Sequence, residues 1–186
     1  MKILPFLRAG LLAITFIISS NLQADEVGLE VGDLAPAFQL KNQDGKEISL
    51  ADLIASHDKV ALAFYRSADW CSFCKRQLTG LQKDLKTIKG AGVTLVGISY
   101  DPVEVLERFS KQQQIEYTLL SDPGSKTIDA YKVRNEQVRP GRAEGIPHPT
   151  IFLVNSRGVI AAKLREESFK ERPSVEQIVA SAKAMD

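Results

Sequence analysis

Residues 59–78 read KVALAFYRSADWCSFCKRQL, and the fold follows from how this stretch is read. KVALAFYR is a continuous apolar run, as expected of a strand covered on both faces. Directly behind it stand the chain's only two cysteines, Cys71 and Cys74, preceded by its single tryptophan, Trp70. Beyond Cys74, Leu78, Leu81, Leu85 and Ile88 recur at spacings of three, four and three, while Lys75, Arg76, Lys83 and Lys86 take other faces. That pattern predicts one amphipathic helix ended by Gly90 and Gly92. Cys71 then falls at the helix N-terminus with Cys74 one turn inside, where free backbone N–H groups and the helix dipole stabilise a thiolate.

Outward from this junction the order stays regular. VTLVGISY (93–100) predicts a second buried strand, and Asp101 is expected to cap a helix with Pro102 at its first position and Val105, Leu106 and Phe109 as its core stripe. EYTLLSD (116–122) predicts a third strand and SKTIDAYKV (125–133) a short helix, followed by the polar, aperiodic segment 134–148. PTIFLV and VIAAKL flank an Asn155–Gly158 turn and predict an antiparallel pair, and Ser174, three before Gln177, caps a last helix to about Ala184. Asp44-Gly45 between two short alternating runs predicts an N-terminal hairpin. The sum is an α/β fold, a mixed central sheet flanked by helices.

The first residues carry a separate signal. Lys2 and Arg8 form a basic start, Ala9 to Ile18 an uncharged apolar run about half the length of a membrane span, and Ser19 to Ala24 a polar exit. Residues 1–24 are therefore expected to be a cleaved export signal, leaving 25–186 as a single domain in a periplasmic type of compartment where disulfides persist. Cleavage leaves 22 basic against 23 acidic residues. This near-neutral balance gives no reason to expect a nucleic-acid surface, and no later apolar run suggests a membrane anchor.

Four roles compete for Cys71 and Cys74. A structural staple closing so short a loop restrains little of the unfolded chain. A closed zinc site needs four ligands, and the chain holds two cysteines and two histidines, His57 and His148. A copper site built from Cys71, Cys74 and His148 suits soft thiolates with an imidazole. A redox pair uses the helix start directly and needs no metal or cofactor; neither a dinucleotide fingerprint nor a P-loop occurs.

The segments VGDLAPAFQLKNQDGKEISLADL, ALAFYRSADWCSFCKRQLTGLQKDL, LVGISYDP, LLSDPG and GIPHPTIFLVNSRGVI together resemble the AhpC/TSA redoxin branch, peroxiredoxin-like, of the thioredoxin-like superfamily. The likeness runs from about Val31 to Ala184. It implies a thioredoxin-like fold, an antioxidant type of oxidoreductase with a redox-active disulfide, and a cis peptide before Pro149 beside the cysteines. Trp70, His148 and Pro149 are the expected substrate contacts.

The resemblance leaves the order of attack open. On the thioredoxin pattern, an exposed Cys71 attacks a protein or small-molecule disulfide and Cys74 resolves it, with a dithiol protein supplying electrons. On the peroxiredoxin pattern, Cys74 attacks a hydroperoxide and Cys71 resolves the sulfenic acid. Ser67 stands where that second pattern has a proline, and Pro149 where it has an arginine, with Arg66 able to substitute in space. On these departures the thioredoxin order is the leading expectation. The thioredoxin pattern's buried acid would fall near Ala63, leaving Asp69 and Glu144 as alternative proton acceptors.

Overall fold

The computed structural model describes residues 27–139 and 141–185; the segment read as an export signal lies outside them. All six residues of β3 (Lys59–Phe64) are buried. Ala61 and Ala63 point into one core and Val60, Leu62 and Phe64 into the other, as the two-residue period of a strand requires. β3 pairs in parallel with β4 (Val93–Ser99) and antiparallel with β6 (Thr150–Asn155). β4 continues in parallel to β5 (Thr118–Ser121), and β6 pairs antiparallel with β7 (Ile160–Leu164). The predicted hairpin, β1 (Gln39–Asn42) and β2 (Glu47–Ser49), joins the far edge through β5, so the seven strands run β2-β1-β5-β4-β3-β6-β7. Its turn is held by Asn42, whose Oδ1 accepts from the amides of Asp44 and Lys46, with Gly45 at φ +77°.

Helices cover both faces. On one lie α2 (Ser72–Lys83), α3 (Leu85–Gly90), α4 (Val103–Gln113) and α6 (Val175–Lys183), packed through Leu78, Ile88, Leu106 and Ile178. On the other lie α1 (Leu50–Ser56) and α5 (Lys126–Ala130), packed through Leu50, Leu53 and Ile128. Each such apolar side chain, fully buried, contributes roughly 1.5–3 kcal/mol. α6 starts with the predicted capping box between Ser174 and Gln177. No helix among the described residues is long and apolar enough to cross a membrane.

Three local expectations change. The helix predicted to run unbroken to Gly90 is interrupted at Asp84, which leaves helical dihedrals (φ −100°, ψ 14°). Aspartate competes poorly in helix interiors, yet the apolar stripe carries across, with Leu85 and Ile88 still buried. Pro102 occupies the N-cap of α4 rather than its first turn. Asp101 caps nothing, because its carboxylate turns inward to the cysteine loop.

Candidate active site

The chain leaves the C-terminal edge of β3 into the loop 65–71, which meets the end of β4 at Tyr100 and Asp101. In sheets of this kind the crevice beyond the carboxyl ends of parallel strands is where sites form. Asp101 is 4% exposed and takes three hydrogen bonds: Ser67 Oγ donates to Oδ1 at 2.8 Å, while the Ala68 amide (2.7 Å) and Ser99 Oγ (3.0 Å) donate to Oδ2. Ser67 Oγ in turn accepts from the amides of Asp69 (3.0 Å) and Trp70 (3.4 Å). One buried carboxylate thus shapes the loop that delivers Trp70 and Cys71. Burial pushes the Asp101 carboxyl above its ordinary range, against the lowering effect of those three donors, the Ala68 amide first.

Cys71 is the N-cap residue of α2, its Sγ accepting the Cys74 amide at 3.3 Å, and the two cysteines are joined as a disulfide with Cα atoms 5.3 Å apart. Cys71 is 3% exposed and Cys74 fully buried. The exposed Cys71 expected on the thioredoxin pattern is therefore not present in the disulfide form, although it remains the less buried of the two residues. Ring surfaces close the site from the side: the Trp70 Nε1–H donates to Tyr100 Oη (2.8 Å), whose hydroxyl donates to the Arg142 carbonyl (2.6 Å).

Three arginines gather here. The Arg172 guanidinium, supplied by the segment before α6, brings Nη2 to 3.7 Å from Cys74 Sγ. Its other donors go to neutral acceptors, Gln77 Oε1 and the carbonyls of Phe169 and Glu171. Arg66 lies between the rings of Trp70 and Phe169, 5.0 and 4.8 Å from their centroids, and Arg76 lies 4.7 Å over Phe73. Phe73 and Phe169 meet edge to face. Burial first, then the nearby Arg66 and Arg76, lower the Arg172 pKa to about 10.

The expected substrate contacts divide. Trp70 is half-buried at the disulfide. Thr150 pairs with Phe64, so Pro149 lies one residue beyond the ladder on the cysteine side. No peptide among the described residues is cis, which corrects the expectation for the His148–Pro149 bond. Ahead of β6, Pro147 pairs with Arg134 in an isolated bridge, and the His148 amide donates to the Val133 carbonyl at 2.7 Å. His148 is half-buried, and no cluster of three or more His, Cys, Asp or Glu that could hold a metal occurs among the described residues, so the copper ligand set of Cys71, Cys74 and His148 is not assembled. Asp69 is paired with Arg108 and Arg142, and Glu144 is exposed.

The sequence reading missed Asp101, Ser67 as a hydrogen-bonding hub, and Arg172. Asp101 carried a misleading signal, since Asp-Pro ahead of a helical stripe reads as a cap. Arg172 carried none, standing 98 residues from Cys74.

Fold and site together present a thioredoxin-like sheet with a Cys71–Cys74 disulfide at a helix start. Residues 31–163 match the AhpC/TSA family, and the chain belongs to it. It is 34% identical to peroxiredoxin Bcp of Escherichia coli (strain K12) over 132 residues, 71% of this chain and 83% of that protein. The crystal structure of peroxidoxin BcpB from Mycobacterium tuberculosis superposes with a TM-score of 0.72 at 23% identity, over 87% of this chain and 99% of that one. Reduced 2-Cys peroxiredoxin from Plasmodium vivax gives 0.71 at 23%, over 83% and 81%; both likenesses speak to the fold. Arg172 lies beyond the family-matched residues.

Proposed function

We propose that this chain is an exported thiol–disulfide oxidoreductase, made with residues 1–24 as a cleaved signal and residues 25–186 as one redoxin domain. The observation that carries the reading is Cys71 at the N-cap of α2, a residue less buried than Cys74 whose sulfur accepts a hydrogen bond from the Cys74 amide. In the reduced protein the same amide and the helix dipole favour a Cys71 thiolate. Cys71 attacks one sulfur of a substrate disulfide, expelling the other as a thiol, and Cys74 then displaces the bound half and leaves the Cys71–Cys74 disulfide. A dithiol protein returns two electrons and two protons.

A second reading has its own support. Arg172 Nη2 touches Cys74 Sγ, not Cys71, and the relatives at 34% identity are named peroxiredoxins. In that cycle a Cys74 thiolate attacks a hydroperoxide, becomes a sulfenic acid, and condenses with Cys71 with loss of water.

Single-cysteine variants separate the two. Under the first reading Cys74→Ser traps a mixed disulfide with a substrate while Cys71→Ser does not, as mass spectrometry detects. Peroxide consumption by Cys71→Ser, with a sulfenic acid trapped at Cys74, would replace it with the second.

A further inference from the structure

The arginines around the disulfide exceed what the cysteine pair requires. Arg66 and Arg76 both stand within electrostatic reach of Arg172, yet none of the three forms an ion pair with a carboxylate among the described residues, whereas Arg108, Arg134 and Arg142 each do. Their contacts orient without neutralising: aromatic faces under Arg66 and Arg76, and carbonyl or amide oxygens on Arg172. Arg66 also keeps a buried Nε with no hydrogen-bond partner, which in a packed site is a donor awaiting an acceptor. In the disulfide both sulfurs are neutral, so three cations face no anion; reduction adds one thiolate and still leaves an excess of positive charge.

We propose that Arg66, Arg76 and Arg172 form an anion subsite beside the cysteine pair, which selects small disulfides carrying a carboxylate close to the sulfur under attack. The spacing suits such a molecule. The Arg172 guanidinium lies 3.7 Å from Cys74 Sγ, the sulfur bonded to that of the attacking Cys71, so an anion held there is a few bonds from the sulfur under attack. Guanidinium forks match carboxylates, and desolvation strengthens the pairing. The proposal rests on the oxidoreductase reading: the enzyme dithiol loses two electrons and two protons to become the Cys71–Cys74 disulfide, and the substrate S–S bond is cleaved to two thiols.

The test mixes the reduced protein, freed of excess reductant, with two aromatic disulfides and follows release of the coloured thiol. Dithiobis(nitrobenzoate) carries a carboxylate on each ring and dithiodipyridine is uncharged. Both reactions consume the same protein thiolate, so any change in its population cancels in the ratio of the two rates. Arg172→Gln, and separately the exposed Arg76→Gln, should lower the anionic-to-neutral ratio about tenfold, the worth of one charge-assisted hydrogen bond. A ratio equal to wild type in both variants overturns the subsite, including the case in which both rates fall together because the arginines serve only the protein thiolate. A wild-type protein that reacts with neither reagent overturns instead the oxidoreductase reading beneath it.

Discussion

Replacing Asp101 separates the carboxylate's role in holding the cysteine loop from its charge. In Asp101→Ala the Ser67 and Ser99 hydroxyls can rotate toward other acceptors, but the Ala68 amide has a fixed direction and loses its partner at 2.7 Å. Bonds to a charged acceptor are worth roughly 1.5–3 kcal/mol each, and a buried orphan donor costs roughly 1–3 kcal/mol. The carboxylate's own desolvation offsets part of that sum, leaving an expected loss of about 3 kcal/mol. Asp101→Asn behaves differently. Its amide oxygen can keep Ala68 and Ser99, and its NH2 must then donate to Ser67 Oγ, which already accepts from Asp69 and Trp70. Three donors on a hydroxyl with two lone pairs is one too many, so the loop loosens at about 1 kcal/mol. Urea unfolding of the oxidised protein measures both values, with Trp70, the only tryptophan, reporting the loop directly. Because burial raises the folded Asp101 pKa, its protonation contributes stability that is present below the ordinary value and lost as pH rises through the folded one. The advantage of wild type over Asp101→Asn should therefore grow as pH falls through the raised pKa toward the ordinary carboxylate range. An Asp101→Ala variant no less stable than Asp101→Asn, or an advantage that shrinks on acidification, would refute this account.

A methyl group added at Gly97 would stand 2.8 Å from Leu119 Cδ2 and 3.1 Å from Tyr65 Cε1, so Gly97→Ala should cost about 1–3 kcal/mol by overpacking, read as a lower urea midpoint at unchanged slope. Burial first and Arg165 second depress the His148 pKa. Its contribution to stability is present above the ordinary histidine value and lost as pH falls through the folded one. His148→Gln should remove that acid-side loss, and Arg165→Gln should raise the His148 pKa measured by NMR.

Much of the architecture was legible because it is written in local periodicity. The unbroken apolar run of β3 announces a strand buried on both faces, and the spacing from Leu78 to Ile88 announces the helix behind the cysteines. The hairpin at Asp44-Gly45 and the cap at Ser174 depend on neighbours within four residues, so they too could be read. The cysteine pair could be placed at the start of α2 for the same reason. Asp101 could not be read correctly, because a carboxylate ahead of a helix has two choices. Only the approach of residues 67–70 from another strand made the inward one favourable.

Sequence alone therefore determined the α/β class, the family, and a cysteine pair at a helix N-terminus, all properties of short segments. Tertiary structure decided what surrounds that pair: the buried carboxylate beneath the loop, the trans bond before Pro149, and the half-buried placement of His148. It also brought Arg172 across 98 residues to Cys74. Electrostatic interactions act through space and ignore chain distance, so the charges acting on the sulfurs became visible only once the sheet and its helices were assembled.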